Sequence, residues 1–89
     1  MFDWDDGNVD HVRIHGIEPD EAEEVLLDPR ALGVAAYNSR GERRQGALGS
    51  TGNGRVLVVV FTLRHGQPRV VTARDATLSE KRRYHQRGK

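Results

Sequence analysis

Ten residues, RVLVVVFTLR at 55–64, limit what this chain can become more than any others do. Val56 to Phe61 are apolar without interruption, and a strand with no polar face has to be covered on both sides. The chain must therefore supply a central strand, partners to pair with it and two covering layers, all from 89 residues. So short a chain makes one small domain with a thin core. Cysteine is absent, so neither disulfides nor thiolate metal ligands can supplement that core, which fits a reducing compartment.

The flanking segments provide the other layers. A turn in HGQP (65–68) leads to RVVTAR (69–74), the expected antiparallel partner, and the loop STGNG (50–54) precedes the central strand. Upstream, LGVAAYNSR (32–40) and RRQGALGS (43–50) read as two weaker strands about a polar turn at Ser39–Glu42. At the N-terminus a short strand is expected at 2–4. A helix then runs over about 6–15, with Asp5 or Asp6 as N-cap and Gly16 as its stop. IEPDEAEEVLLDP (17–29) has the marks of a second helix. Pro19 suits its first turn, Asp20, Glu21 and Glu23 complement the positive end of its dipole, and Pro29 ends it. Ala22, Val25 and Leu26 form its apolar stripe. A third helix should start near 78 and fray at Gly88.

This order predicts an α+β fold: two N-terminal helices packed on a four-stranded, mainly antiparallel sheet, with a C-terminal helix. The first two helices should cover one face of the central strand; the last helix or a second subunit would cover the other. No apolar stretch reaches membrane-spanning length, and MFDWDDG is acidic where a signal peptide is basic. A cytoplasmic protein is expected.

A net charge of +1 conceals a strong separation. Residues 1–30 carry ten acidic side chains against Arg13 and Arg30, a net −8, while residues 31–89 carry twelve basic against three acidic, a net +9. A basic region made almost wholly of arginine suits phosphate, which the guanidinium grips through a bidentate fork. Equally, the two halves could be solvated faces that attract each other.

Register arithmetic groups the arginines. If HG or RHGQ closes the hairpin, Leu63 pairs with Pro68 and Leu57 with Arg74, so Arg55, Thr72 and Arg74 share one face, and Arg64 and Arg69 the other; a loop with an odd number of residues would invert the grouping. Two arginines beside a threonine would make a compact anion site able to stabilise a phosphate transition state. The alternative is a pair of strand-end arginines bonding helix carboxylates. Thr77 and Glu80 have capping-box spacing, so Glu80 is read first as a cap and second as a candidate general base. Lys81, Arg82, Arg83, His85 and Arg87 suit backbone phosphates or simply a soluble helix, and Tyr84 either stacks on an unpaired base or joins the core.

His11 and His15 stand one helical turn apart, with Asn8 on the same face. That spacing can bind a metal, but it lacks the glutamate of a zincin and an evident third ligand, so no metal is expected. His15 ends the helix beside Gly16, where the dipole favours a cation. It could donate a proton to a leaving oxygen, cap carbonyls or pack on the sheet.

WDDGNVDHVRIHGI (4–17), GRVLVVVFTLR (54–64) and RVVTARDATLSEKRRY (69–84), in this order, resemble BrnT-type toxins, small ribonucleases of bacterial type II toxin–antitoxin systems. The resemblance implies a RelE-like fold and cleavage of RNA without metal or cofactor, the RNA's own 2′-hydroxyl attacking the adjacent phosphate. It makes His15, Arg55 and Arg74 the expected catalytic residues, matching the family's HG histidine, the arginine of its GR-L strand and that of its S/T-A-R motif. Arg64 and Arg69 match basic hairpin positions and, with Arg82, Arg83 and Tyr84, are expected to bind RNA. The implied partner is a DNA-binding antitoxin, and a homodimer or a toxin–antitoxin heterotetramer the implied assembly. Ile14 stands where lysine commonly precedes the histidine, and the first helix is acidic, which marks a divergent branch. Two rivals remain: a module that binds nucleic acid without cutting it, and a protein that only binds a partner.

Overall fold

The computed structural model describes residues 1–35, 38–39 and 41–86, with 38 and 39 described by backbone alone. Two helices, α1 (Asp6–Ile14) and α2 (Pro19–Leu27), precede the strands β1 (Leu32–Val34), β2 (Asn38–Ser39), β3 (Glu42–Arg43), β4 (Gln45–Ser50), β5 (Val56–Arg64) and β6 (Gln67–Asp75). Helix α3 (Leu78–Gln86) follows. The main sheet is antiparallel in the order β1-β4-β5-β6, and β2 and β3 pair apart from it. The α+β architecture expected from the sequence is the one observed. Of the expected strand 32–40, residues 36, 37 and 40 lie outside the described residues, β2 pairs with β3, and β1 (Leu32–Val34) joins the sheet. Its close approach to β4 depends on Gly46, where an added Cβ would lie 2.7 Å from Val34 Cγ2. Residues 2–4 form no strand; a backbone bond, Asp3 N–H to the Pro68 carbonyl at 2.8 Å, and the Asp3–Arg69 pair at 3.5 Å tie them to β6. The expected fraying at Gly88, and Arg87, lie outside the described residues.

Side chains of β5 alternate between two cores. Leu57 and Val59 pack with Val12, Ile17, Ala22, Val25, Val70 and Ala73 under α1 and α2. Val56 and Val58 pack with Leu48, Ala76 and Tyr84 on the opposite face. The second cover left open by the sequence is therefore α3, which contributes Tyr84. That residue's hydroxyl donates to Asp28 Oδ2 at 2.6 Å, fastening α3 to the end of α2. Burial raises the Asp28 carboxyl, but bonds from Tyr84 and from the Ser50 and Arg30 amides outweigh it, leaving the carboxyl below its ordinary value.

Helix α1 is held at both ends by local chemistry. Asp5 and Asn8 form a reciprocal capping box. At the other end Gly16 adopts φ +74, and the Ile17 amide reaches back to the Val12 carbonyl at 3.1 Å. Asn8 does more than cap. Its buried amide donates to the Asp3 carbonyl (3.1 Å) and to the Val70 carbonyl of β6 (3.0 Å), locking the helix onto the sheet edge.

The pairing of β5 with β6 contains one irregularity. Val60 pairs with Thr72 but Phe61 pairs with Val70, so Val71 is an extra residue in a bulge. Leu63 pairs with Pro68 as the hairpin arithmetic requires, yet beyond the bulge Leu57 faces Asp75, not Arg74.

Candidate functional site

Helix α1 lies along β6, and this seam carries two exposed imidazoles. His11 Nε2 lies 3.1 Å from Thr72 Oγ1 and shares a hydrogen bond with it. The His15 ring, one turn further on, has its centroid 5.4 Å from that of His11 and is tilted by 60° to it. His15 is the C-cap of α1, and Arg55 fixes its corner by donating from Nη1 to the neighbouring Gly16 carbonyl at 2.9 Å.

A groove of about 300 Å³ opens beside His11. Its walls include Arg44, Thr62 and Arg64, the start of α1, and Arg69 with the bulged Val70–Val71 segment. Thr62 donates to the Arg43 carbonyl at 2.9 Å, bringing β3 against the hairpin and closing one side. Arg69 is braced by Asp3 (3.5 Å) and Asp5 (2.9 Å). The Asp5 carboxyl is held below its ordinary value, first by the Asn8 backbone bond and then by Arg69. Arg64 is exposed and makes no ion pair among the described residues.

The far end of the hairpin treats its arginines differently. Arg55 donates from Nε to Asp75 at 3.0 Å and from Nη1 to Glu21 at 3.1 Å and to Gly16, with a longer contact from Nη2 to Asp75 at 3.4 Å. Arg74 forms a bidentate pair with Glu80, at 2.7 and 3.0 Å, and also donates to the Asp75 carbonyl at 3.2 Å. Both guanidiniums are stabilised in their charged form chiefly by these carboxylate bonds. The expectation that Arg55, Thr72 and Arg74 share one face does not hold. Arg55 reaches α2 on the face of Leu57, whereas Arg74 pairs with Val58 and reaches α3 on the other. The bulge at Val71 is the cause, since one extra residue inverts the facing of everything after it. Among the described residues the two arginines meet at Asp75, one at its carboxylate and one at its carbonyl. Strand-end arginines bonding helix carboxylates, the second alternative read from the sequence, is the arrangement observed.

Glu80 accepts from the Thr77 amide at 2.9 Å, and Thr77 Oγ1 accepts from the Glu80 amide at 3.2 Å. With Arg74 bound as well, its carboxyl falls to about 2, first through Arg74 and then through Thr77. So acidic a group takes up a proton poorly at neutral pH, which disfavours it as a general base. Tyr84 is 8 % exposed within the core and cannot offer its ring to a base, so its expected place among the RNA-binding residues is withdrawn. Arg82 and Arg83 are exposed on α3.

The structure thus gathers His11, His15 and Thr72 along one seam, with Arg64 and Arg69 in the groove beside it, and ties Arg55 and Arg74 to carboxylates. Sequence reasoning weighed His11 only as a metal ligand. Its pairing with Thr72 joins residues 61 positions apart and depends on the docking of α1. Among the described residues no three His, Asp or Glu side chains converge on a point where a metal could sit. The family model described as ribonuclease toxin, BrnT, of type II toxin-antitoxin system matches residues 4–80, most of the chain. Comparison with curated proteins finds no match.

Proposed function

The chain belongs to the BrnT family, the ribonuclease toxins of type II toxin–antitoxin systems, and from that premise we propose that it cuts RNA internally, without a metal ion, by attack of a 2′-hydroxyl on the adjacent phosphate. Membership implies an RNA target and an antitoxin partner. The observation that supports the reading best is the seam itself: exposed imidazoles and a hydroxyl beside a groove lined by Arg44, Arg64 and Arg69 together with Glu42. Imidazole can exchange protons near neutral pH, and arginine holds phosphate without being consumed or deprotonated.

In this mechanism His15 donates the proton that the leaving 5′-oxygen needs. Arg55 holds the His15–Gly16 corner in place and keeps little free donor capacity for phosphate, so its part is mainly positioning. Arg64 and Arg69 guide the RNA backbone through the groove. Arg74, on the α3 face with the exposed Arg82 and Arg83, serves the flanking backbone instead of sharing one phosphorane with Arg55. The proposed compartment is the cytoplasm, and the proposed partner is a DNA-binding antitoxin.

The test is cleavage of a defined RNA in the presence of a chelator, with the product ends identified. A 2′,3′-cyclic phosphate and a 5′-hydroxyl are expected, and one 2′-deoxy nucleotide at the cut site should abolish the reaction. Cleavage that persists through the 2′-deoxy nucleotide would remove the mechanism. Salt-dependent binding with no product would turn the reading to a nucleic-acid-binding module.

A further inference from the structure

We propose that His11 is the general base of this reaction, taking the proton from the attacking 2′-hydroxyl, and that the nucleotide bearing that hydroxyl lies in the groove beside it. This role rests on the proposed ribonuclease activity and falls to a residue that the mechanism otherwise leaves idle.

Attack by a 2′-hydroxyl needs an acceptor for its proton as well as a donor to the leaving oxygen. Of the carboxylates around the groove, Asp5 is held below its ordinary value by the Asn8 amide and Arg69, and Glu42, which lines the groove, is paired with Arg44 at 3.4 Å. His11 is exposed, caps nothing and packs into neither core. Among the described residues its ring bonds to Thr72. With Nε2–H donating to that hydroxyl, the lone pair on Nδ1 is left to receive a proton. The ring centroids of His11 and His15 are 5.4 Å apart, which sets one imidazole toward the entering 2′-oxygen and the other toward the leaving 5′-oxygen on opposite sides of one phosphorus.

The groove decides which histidine does which. His11 lines it and His15 does not. At about 300 Å³ it lies at the small end of the range for ligand pockets, which suits a single nucleotide. A nucleotide held there by Arg64 and Arg69 presents its ribose to His11, and its 3′-phosphate then lies toward His15. His11 accepts the 2′-oxygen's proton as the bond from that oxygen to phosphorus forms. The bond from phosphorus to the 5′-oxygen breaks, and that oxygen takes a proton from His15. One fragment ends in a 2′,3′-cyclic phosphate and the other begins with a 5′-hydroxyl.

The two roles separate in an RNA whose scissile 5′-oxygen is replaced by sulfur, because a thiolate leaves without being protonated. The full chain is assayed on oxygen- and sulfur-linked RNA at a cut site mapped with the wild type. His11→Ala should lose about 10²–10⁴-fold on both substrates. His15→Ala should lose as much on the oxygen linkage and recover on the sulfur linkage. His11→Gln, which keeps an amide for Thr72 but cannot take the proton, should be as slow as His11→Ala, and it decides the matter if the alanine variant melts early. Wild-type rates for His11→Gln on the sulfur-linked RNA would overturn the proposal, as would rescue of His11→Ala but not of His15→Ala. A wild-type chain that cuts neither RNA would instead bring down the ribonuclease reading, and this inference with it.

Discussion

At the turn end of the β5–β6 hairpin, Arg64 stands exposed with no ion pair among the described residues, and Arg69 is braced from one side by Asp3 and Asp5. At the other end, Arg55 is held by the carboxylates of Glu21 and Asp75, and Arg74 by the carboxylate of Glu80 through two of its nitrogens. The four residues are chemically alike and lie within 20 positions of one another. Their roles diverge because an arginine already chelated by carboxylate cannot grip phosphate through the same N–H groups. One end of the hairpin is therefore a junction that holds three helices to the sheet. The other is a surface with positive charge left over.

The largest effect expected concerns the seam that joins these ends. His15→Ala should lower single-turnover cleavage by about 10²–10⁴-fold while the melting curve stays put. A similar loss accompanied by early melting would make His15 a structural cap instead. Next, Arg55→Ala should destabilise the fold by about 1–3 kcal/mol, because it strands the partly buried Glu21, Asp75 and the Gly16 carbonyl. Arg64→Ala should shift stability by no more than about 0.5 kcal/mol. Urea unfolding of the two variants compares the ends directly, and equal losses would erase the distinction between them.

For RNA binding the contrast reverses. Arg64→Ala should weaken RNA binding across sequences and reduce the slope of log affinity against log salt by about one. Arg74→Ala should change that slope less, since Glu80 already neutralises Arg74. The smallest effect is a pH dependence. The Glu80 carboxyl is held at about 2 in the fold against 4.5 ordinarily, so its contribution is complete above 4.5 and is lost as pH falls toward 2. Because Arg74 is half exposed, the pair is worth only about 0.2–1 kcal/mol. Glu80→Gln should therefore be slightly less stable than wild type at neutral pH and lose less stability on acidification through that window. Parallel acid-unfolding curves for the two proteins would mean that Glu80 contributes nothing there.

Much of this protein is determined by local sequence. The unbroken apolar run at Val56–Phe61 demands a two-sided central strand, and Leu57 and Val58 supply the two cores it requires. The ends of α1 are equally local: Asp5 and Asn8 cap one, and Gly16 terminates the other with a conformation that side chains resist. The reciprocal Thr77–Glu80 cap was legible for the same reason, being a matter of residues three apart. What only the tertiary structure decided is which side chains face each other. A single extra residue at Val71 turns Arg74 away from Arg55, and nothing in the alternation of RVVTAR announces it. The docking of α1 on β6 brings His11 to Thr72, and the folding of the acidic N-terminal third over the basic remainder decides which arginines are already held. Caps and periodicities act over a few residues, where the backbone dictates geometry. The availability of a guanidinium or an imidazole depends on charges and hydroxyls brought in from distant parts of the chain, and only packing places those.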